Sequence, residues 1–194
     1  MAKNARPQSA PRRGFRLRRW EQIVLLVLVA AVGVAVWQWN TGRDLGGEYE
    51  QYLRQGVGRL GGIQSFPDGG NAHIGNPVYA SDFPTTGAHE PVPTAPGFYS
   101  REQPLGKLVH ALEHGIIVIY YDAPGDETRS ILRDWAQLFP GPWSGVVATK
   151  KPGLGSTVVL AAWRNLLRQE TFDPAVAAAF IDRFRGRGPE NPVR

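Results

Sequence analysis

From residue 105 onward, apolar and polar residues alternate with periods that predict three helices and three strands. The first element is a helix whose apolar residues recur at i, i+3, i+4 and i+7: Leu105, Leu108, Val109 and Leu112. Gly115 is placed to end this helix, and the unbroken apolar run of residues 116–121 predicts a buried strand directly after it. A second helix is predicted at about residues 126–138.

The remaining pattern completes a predicted α+β domain. Residues 145–149 and 157–163 have the composition of strands, and the lysine-, proline- and glycine-containing residues 150–155 join them as a turn. Asp173 and Pro174 predict the start of a last helix, with aspartate as its cap and proline at its first position. We therefore expect a small mixed or antiparallel sheet of three to five strands, packed by helices.

The stretch before residue 105 has no regular period. Its prolines exclude a long helix between residues 66 and 104, but recurring aromatic and apolar side chains predict an ordered, turn-rich segment that covers the core. Residues 48–54 could form a short helix, which nearby glycines would end. We interpret residues 40–70 as a spacer and residues 71–190 as one compact domain.

An almost uncharged apolar run of 17 residues, 23–39, lies near the N-terminus with tryptophans at both ends. This length is close to the ~20 residues that cross a bilayer core as a helix, and tryptophan favours the two interfaces. Residues 21–39 are therefore predicted to be a transmembrane signal anchor. A cleaved signal peptide is less favoured, because bulky residues occupy the expected cleavage site. A core helix is also less favoured, because the run has no polar stripe.

The charge distribution supports an orientation for this anchor. Seven of the 22 basic residues and none of the 17 acidic ones lie in residues 1–20, so the rest of the chain is close to neutral. A basic tail of this kind predicts a cytoplasmic N-terminus, an extracytoplasmic C-terminal domain and lipid contact through residues 21–39. It gives no support for nucleic-acid binding by the folded domain. The chain has no cysteine, so the fold relies on packing or on a metal.

All four histidines fall within a 42-residue stretch. His110 and His114 are four residues apart on a predicted helix, which puts both imidazoles on one face, and His89 lies in a loop that prolines stiffen. We predict these three as metal ligands, with His73 and Glu113 as second-rank members. Imidazole and carboxylate ligands suit Zn²⁺ or Cu²⁺, whereas the absence of cysteine argues against a thiolate site.

Residues 110–114 also match the H-x-x-E-H pattern of inverted zincins, in which two histidines hold zinc and the glutamate is the general base. Such a site needs a further glutamate, for which Glu170 is the downstream candidate in a helical setting. A structural alternative is that the histidines only satisfy hydrogen bonds and that Glu113 pairs with Lys107 or an arginine. No P-loop, G-x-G-x-x-G or C-x-x-C-H motif is present, so no nucleotide, flavin or covalent haem is predicted.

These motifs resemble a known family. Pro84-Thr85-Thr86-Gly87-Ala88-His89, followed by His110-Ala111-Leu112-Glu113-His114-Gly115 and later Gly188-Pro189-Glu190, is similar to DUF3105, an uncharacterised family found largely as membrane-anchored bacterial exported proteins. The resemblance covers about residues 71–190. It implies a shared pattern that includes the positions of His89, His110, Glu113 and His114, and an upstream histidine corresponding to His73. The family often has proline where this chain has Ala88, which leaves the histidine and its turn glycine in place.

Three functions follow as hypotheses. The first is a membrane-anchored extracytoplasmic domain that binds zinc or copper through its clustered histidines. The second is a non-catalytic accessory subunit of a membrane protein complex, which docks through its helix and its proline-rich segment. The third is a metal-dependent hydrolase with Glu113 as general base.

Overall fold

The computed structural model describes residues 20, 22, 24, 26–33 and 43–194, and its second compact unit spans Asp44–Arg194. The described residues before 34 are helical. The predicted basic tail and about half of the predicted anchor at residues 21–39 lie outside the described residues. Within the described part of the chain, no helix is long and apolar enough to cross a membrane.

The compact unit contains four helices and six strands among its described residues. A short 3-10 turn, Val57–Arg59, follows the first helix. In chain order the elements are α1 (Leu45–Gly56), β1 (Gln64–Ser65), β2 (Gly97–Tyr99), α2 (Leu105–Glu113), β3 (Ile117–Tyr121), α3 (Asp126–Leu138), β4 (Val146–Lys150), β5 (Val158–Ala162), β6 (Asn165–Gln169) and α4 (Pro174–Phe184).

The strands form one mixed sheet in the order β1-β6-β5-β3-β4-β2. Strands β2 and β3 run parallel to β4, and the other pairings are antiparallel. The predicted α+β class is confirmed, and of the two sheet types left open, mixed or antiparallel, the sheet is mixed, but the expected three to five strands are too few. Two of the missed strands, β1 and β2, are only two and three residues long, which is too short to show a period. Strand β6 was missed because it has only two apolar residues, with Asn165 before them and Arg168 and Gln169 after them.

Both faces of the sheet are covered, which explains the continuous apolar run in β3. Ile117, Ile119 and Tyr121 join the core on the face that α1, α3 and α4 cover. Val118 and Tyr120 join a second core, which includes Leu108 and other residues of α2. A strand buried on both faces loses the alternation of a half-exposed strand, as the sequence pattern indicates. The second core supports the helix that carries His110 and Glu113.

Residues 44–56, in the stretch for which the sequence predicts a spacer, are packed into the compact unit. Asp44 caps α1 by accepting a hydrogen bond from Gly47 N, 2.9 Å away. Tyr49 is buried, and its hydroxyl donates to Ala178 O in α4 over 3.0 Å. Gly56 touches α4 so closely that a Cβ on it would lie 1.8 Å from Ala175 O. The glycines that were expected only to end the helix thus include one that close packing requires.

Candidate metal centre

Two loops carry His73 and His89, and their backbones are paired. Ile74 N donates to His89 O over 2.8 Å, and His89 N donates to Ala72 O over 2.9 Å. The two residues form an isolated parallel bridge outside the six-stranded sheet. This pairing holds the two imidazoles side by side, with ring centroids 4.8 Å apart.

The loop after His89 lies against the start of α2. Glu90 N donates to Gly106 O over 3.3 Å. Gly106 permits this approach, because a Cβ there would lie 2.7 Å from Pro77 and 2.9 Å from the Glu90 side chain. Before the loop, the Tyr79 hydroxyl donates to Ala88 O over 2.7 Å, and burial raises the pKa of Tyr79 to about 12, so this donor keeps its proton. These contacts bring His89 towards His110.

Four residues form what we call the His89 group, whose possible ligand atoms all lie within 4.8 Å of one another: His73, His89, His110 and Glu113. His89 is fully buried, and Glu113 has 3% of its side chain exposed. His73 is at the surface, with 47% of its side chain exposed. The group is therefore a mostly buried cluster with one member at the solvent boundary.

Backbone carbonyls orient two of these imidazoles. The Nδ1 atom of His89 lies 2.9 Å from Gly87 O, and that of His110 lies 2.7 Å from Glu90 O. Since a carbonyl oxygen only accepts, each Nδ1 carries the proton, and each Nε2 of a neutral ring then presents a lone pair. Metal-binding histidines are held in the same way, with one nitrogen donating to a carbonyl and the other facing the ion.

The Nε2 atom of His89 is a buried polar atom without a hydrogen-bond partner in the described part of the chain. It lies only 3.0 Å from Glu113 Oε2. A lone pair and a carboxylate at this distance repel each other unless a positive charge is shared between them. The residues present therefore fit a metal cation, and an added proton on His89 is the alternative.

The buried carboxylate of Glu113 also requires a positive charge nearby. Within residues 43–194, its ion pairs are with His89 at 3.0 Å and His73 at 3.9 Å. The predicted alternative of a pair with Lys107 or an arginine is not among them. A buried carboxylate requires a compensating positive charge, which either a histidinium or a metal ion supplies.

Burial lowers the pKa of His110, and the neighbouring imidazoles of His114, His89 and His73 lower it further. The hydrogen bond to Glu90 O acts in the opposite direction. The net effect favours the neutral ring, because desolvation and like charges both disfavour imidazolium. A neutral His110 keeps a lone pair on Nε2, which can bind an ion or accept a hydrogen bond from His114 Nε2, 3.0 Å away.

A second set of residues, which we call the His114 group, contains His110, His114 and Glu190. The Nε2 atom of His114 lies 3.0 Å from His110 Nε2 and 2.9 Å from Glu190 Oε2. Its Nδ1 lies 3.3 Å from Pro142 O, and the Trp143 ring stacks on the imidazole at 3.9 Å between centroids. The His114 ring is thus fixed in the same manner as the other two.

The C-terminal segment brings Glu190 to this position. Gly186 N donates to Gly115 O over 2.8 Å, and a Cβ on Gly188 would lie 2.0 Å from Glu113 O. Gly115 itself has φ of 82°, a left-handed conformation that favours glycine. Backbone contact between two glycine-containing segments therefore positions the carboxylate next to His114.

The arrangement differs from the ligand set that the sequence predicts, in which His89, His110 and His114 come first and His73 and Glu113 second. His89 and His110 do lie together, but His73 and Glu113 share their group, whereas the third expected ligand, His114, pairs with His110 and Glu190. Sequence reasoning missed Glu190, which stood only in the string that resembles DUF3105. Glu170, the expected zincin glutamate, instead accepts hydrogen bonds from Thr157 and Arg168.

Comparison with known proteins gives one match. Residues 74–194 match the model of a family described as "Protein of unknown function (DUF3105)". The matched region contains every residue of the two groups except His73, which lies one position before it. No curated protein and no solved structure matches the chain.

Proposed function

The chain belongs to the DUF3105 family, whose function is unknown, and from the geometry of its histidines we propose that it binds a transition-metal ion. The ligands are Nε2 of His73, His89 and His110 and a carboxylate oxygen of Glu113. The observation that carries the proposal is His89 Nε2, which is buried without a hydrogen-bond partner among the described residues and lies 3.0 Å from Glu113 Oε2.

The distances in the His89 group suit a tetrahedral ion. Ligand atoms about 2.0–2.1 Å from zinc in a tetrahedral site lie about 3.3 Å from one another. Glu113 Oε2 lies 3.0 Å from His89 Nε2 and 3.9 Å from His73 Nε2, and all four ligand atoms lie within 4.8 Å. Small side-chain movements are therefore enough to reach bonding distances.

The ligand set favours zinc or copper in its divalent state. Imidazole binds both ions well, and Glu113 supplies one negative charge that reduces the net charge of the centre. The ordinary preference of Mg²⁺ and Ca²⁺ for oxygen ligands makes them poor competitors for three imidazoles. The exposed side of His73 offers the ion a route from solvent.

We propose the cell membrane as the location, with the metal-binding domain outside the cytoplasm. The support is the apolar run at residues 23–39 and the basic residues before it. A docking role as an accessory subunit is compatible with metal binding and stays a prediction. For the hydrolase alternative, the burial of Glu113 and its distance from His89 favour a ligand role over that of a base.

Metal content of the purified full chain tests the proposal. The chain is extracted in mild detergent, stripped with a chelator, equilibrated with Zn²⁺ or with Cu²⁺, and separated from free ions before elemental analysis. We expect one ion per wild-type chain and weaker retention in His89→Gln. Glu170→Gln is the matched control, since Glu170 lies in neither group. Failure of the wild type to retain either ion would overturn the proposal.

A further inference from the structure

We propose that the His114 group is a second metal position that shares His110 with the first. One ion then occupies either group and passes between them while it stays bound to His110. This inference rests on the proposed function, because it describes how the bound ion moves. It assigns His114 and Glu190 a role in metal exchange.

The shared ligand is the first reason. His110 uses Nδ1 to donate to Glu90 O over 2.7 Å, so one lone pair, on Nε2, is available. His110 is a member of both groups. A neutral imidazole nitrogen binds one ion, so the two positions are mutually exclusive and the chain holds a single ion there.

The second reason is the surroundings of His114 Nε2. This atom faces two electron-rich atoms, His110 Nε2 at 3.0 Å and Glu190 Oε2 at 2.9 Å. A proton on His114 Nε2 can point at one of them, whereas a cation between all three attracts each. The Pro142 carbonyl and the Trp143 ring hold the imidazole in this orientation.

Passage between the groups requires only an exchange of ligands. Bonds from the ion to His114 and Glu190 form while those to His73, His89 and Glu113 break, and the bond to His110 is kept. Each group contributes one carboxylate, so the charge around the ion does not change. The ion therefore need not return to water as a free hydrated species.

The two positions should differ in their affinity for the ion. The His89 group offers four ligands, and the His114 group offers three. Glu190 has 42% of its side chain exposed, whereas Glu113 has 3%, so water competes more strongly for the carboxylate of the His114 group. We infer that the ion is held in the His89 group and leaves for an acceptor through the His114 group.

The equilibrium test uses Co²⁺, whose visible absorption reports its ligands, with the full chain in detergent. The wild type and Glu190→Gln should each bind one ion. His89→Gln should still bind one ion, weaker by at least about 100-fold, because loss of a group that only supports a ligand already weakens binding by about 10–100-fold and His89 is itself a ligand. The double variant His89→Gln with Glu190→Gln should bind Co²⁺ more weakly again, because each group has then lost one ligand. If His89→Gln unfolds, His73→Gln replaces it in both variants, because His73 is at the surface.

The kinetic test follows loss of Zn²⁺ from the preloaded full chain to an excess of chelator. His114→Gln should retain one ion per chain and release it about tenfold more slowly, a change of about 1.4 kcal/mol in the barrier. The surface variant Glu170→Gln should release Zn²⁺ at the wild-type rate.

Three results would overturn the inference while the proposed function stands. The first is two ions per wild-type chain, and the second is equal Co²⁺ affinity in His89→Gln and in the double variant. The third is release of Zn²⁺ from His114→Gln at the wild-type rate. A wild-type chain that binds no ion would overturn both.

Discussion

The Nε2 atom of His89 lies 3.0 Å from Glu113 Oε2, and yet no hydrogen bond joins them. The ring of His89 is committed at Nδ1 to Gly87 O, so Nε2 of the neutral ring carries a lone pair close to the carboxylate. Both residues are buried, and water cannot easily screen the contact. A cation shared by the two side chains, as proposed above, would relieve this contact.

Addition of the ion should stabilise the folded chain. At a free ion concentration about 100 times Kd, binding to the native state alone contributes about 2.7 kcal/mol. For a chain of this size, the Tm should rise by roughly 5–10 °C. Thermal unfolding of the stripped chain with and without Zn²⁺ measures the shift. Mg²⁺ is the control ion, and an equal Tm with Zn²⁺ and with Mg²⁺ would contradict the site.

Glu113→Gln should stabilise the metal-free chain and weaken its binding of Zn²⁺. The amide removes the buried charge and can donate to the lone pair of His89, so the metal-free variant should be more stable than the metal-free wild type by about 1 kcal/mol. Zn²⁺ affinity should fall by at least about tenfold, because a charged ligand is lost. Urea unfolding and competition with a zinc-binding dye measure the two effects.

The same variant distinguishes a ligand from a general base. If Glu113 acted only as a base on metal-bound water, glutamine would abolish activity and leave Zn²⁺ affinity unchanged. Unchanged affinity in Glu113→Gln would therefore argue against its assignment as a ligand.

Gly188→Ala should detach the C-terminal segment from α2. The new Cβ would lie 2.0 Å from Glu113 O and 2.2 Å from Gly115 N, both backbone atoms that cannot move away easily. We expect a loss of about 1–3 kcal/mol in the free energy of unfolding. Cleavage by a protease after Arg187 should also become faster.

Gly58→Ala is the matched control for this change, because its Cβ would meet no atom within 4 Å among the described residues beyond its chain neighbours. Its effect should stay within about 0.5 kcal/mol. Equal stability of the two variants would show that the segment is not held against α2 in solution.

Tyr49→Phe should destabilise the compact unit, although Tyr49 lies in the stretch predicted as a spacer. The change removes a buried hydroxyl that donates to Ala178 O and leaves that carbonyl without this partner. The expected loss is about 1 kcal/mol in urea unfolding. Tyr52→Phe is the control, because its hydroxyl has no hydrogen bond among the described residues, and equal effects would contradict packing of α1 on α4.

Local periodicity was sufficient for much of the fold. The apolar stripe from Leu105 to Leu112 and the run at residues 116–121 correspond to α2 and β3, and Asp173 caps α4 by accepting hydrogen bonds from Ala175 N and Val176 N. These elements are readable because burial of one face or of a whole strand leaves a period in the sequence. Strands β1 and β2 are too short to leave one, and Gly56 gives no sign of the close packing that requires it.

For the candidate site, the sequence by itself determined the residue types and one local relationship. The four-residue spacing of His110 and His114 puts their rings side by side, and the Nε2 atoms lie 3.0 Å apart. Only the tertiary structure decided that His73 and Glu113 join His89, and that Glu190 joins His114. Those contacts join residues from 16 to 76 positions apart. They depend on the backbone pairing of two loops and on glycine contacts at α2, which no local pattern encodes.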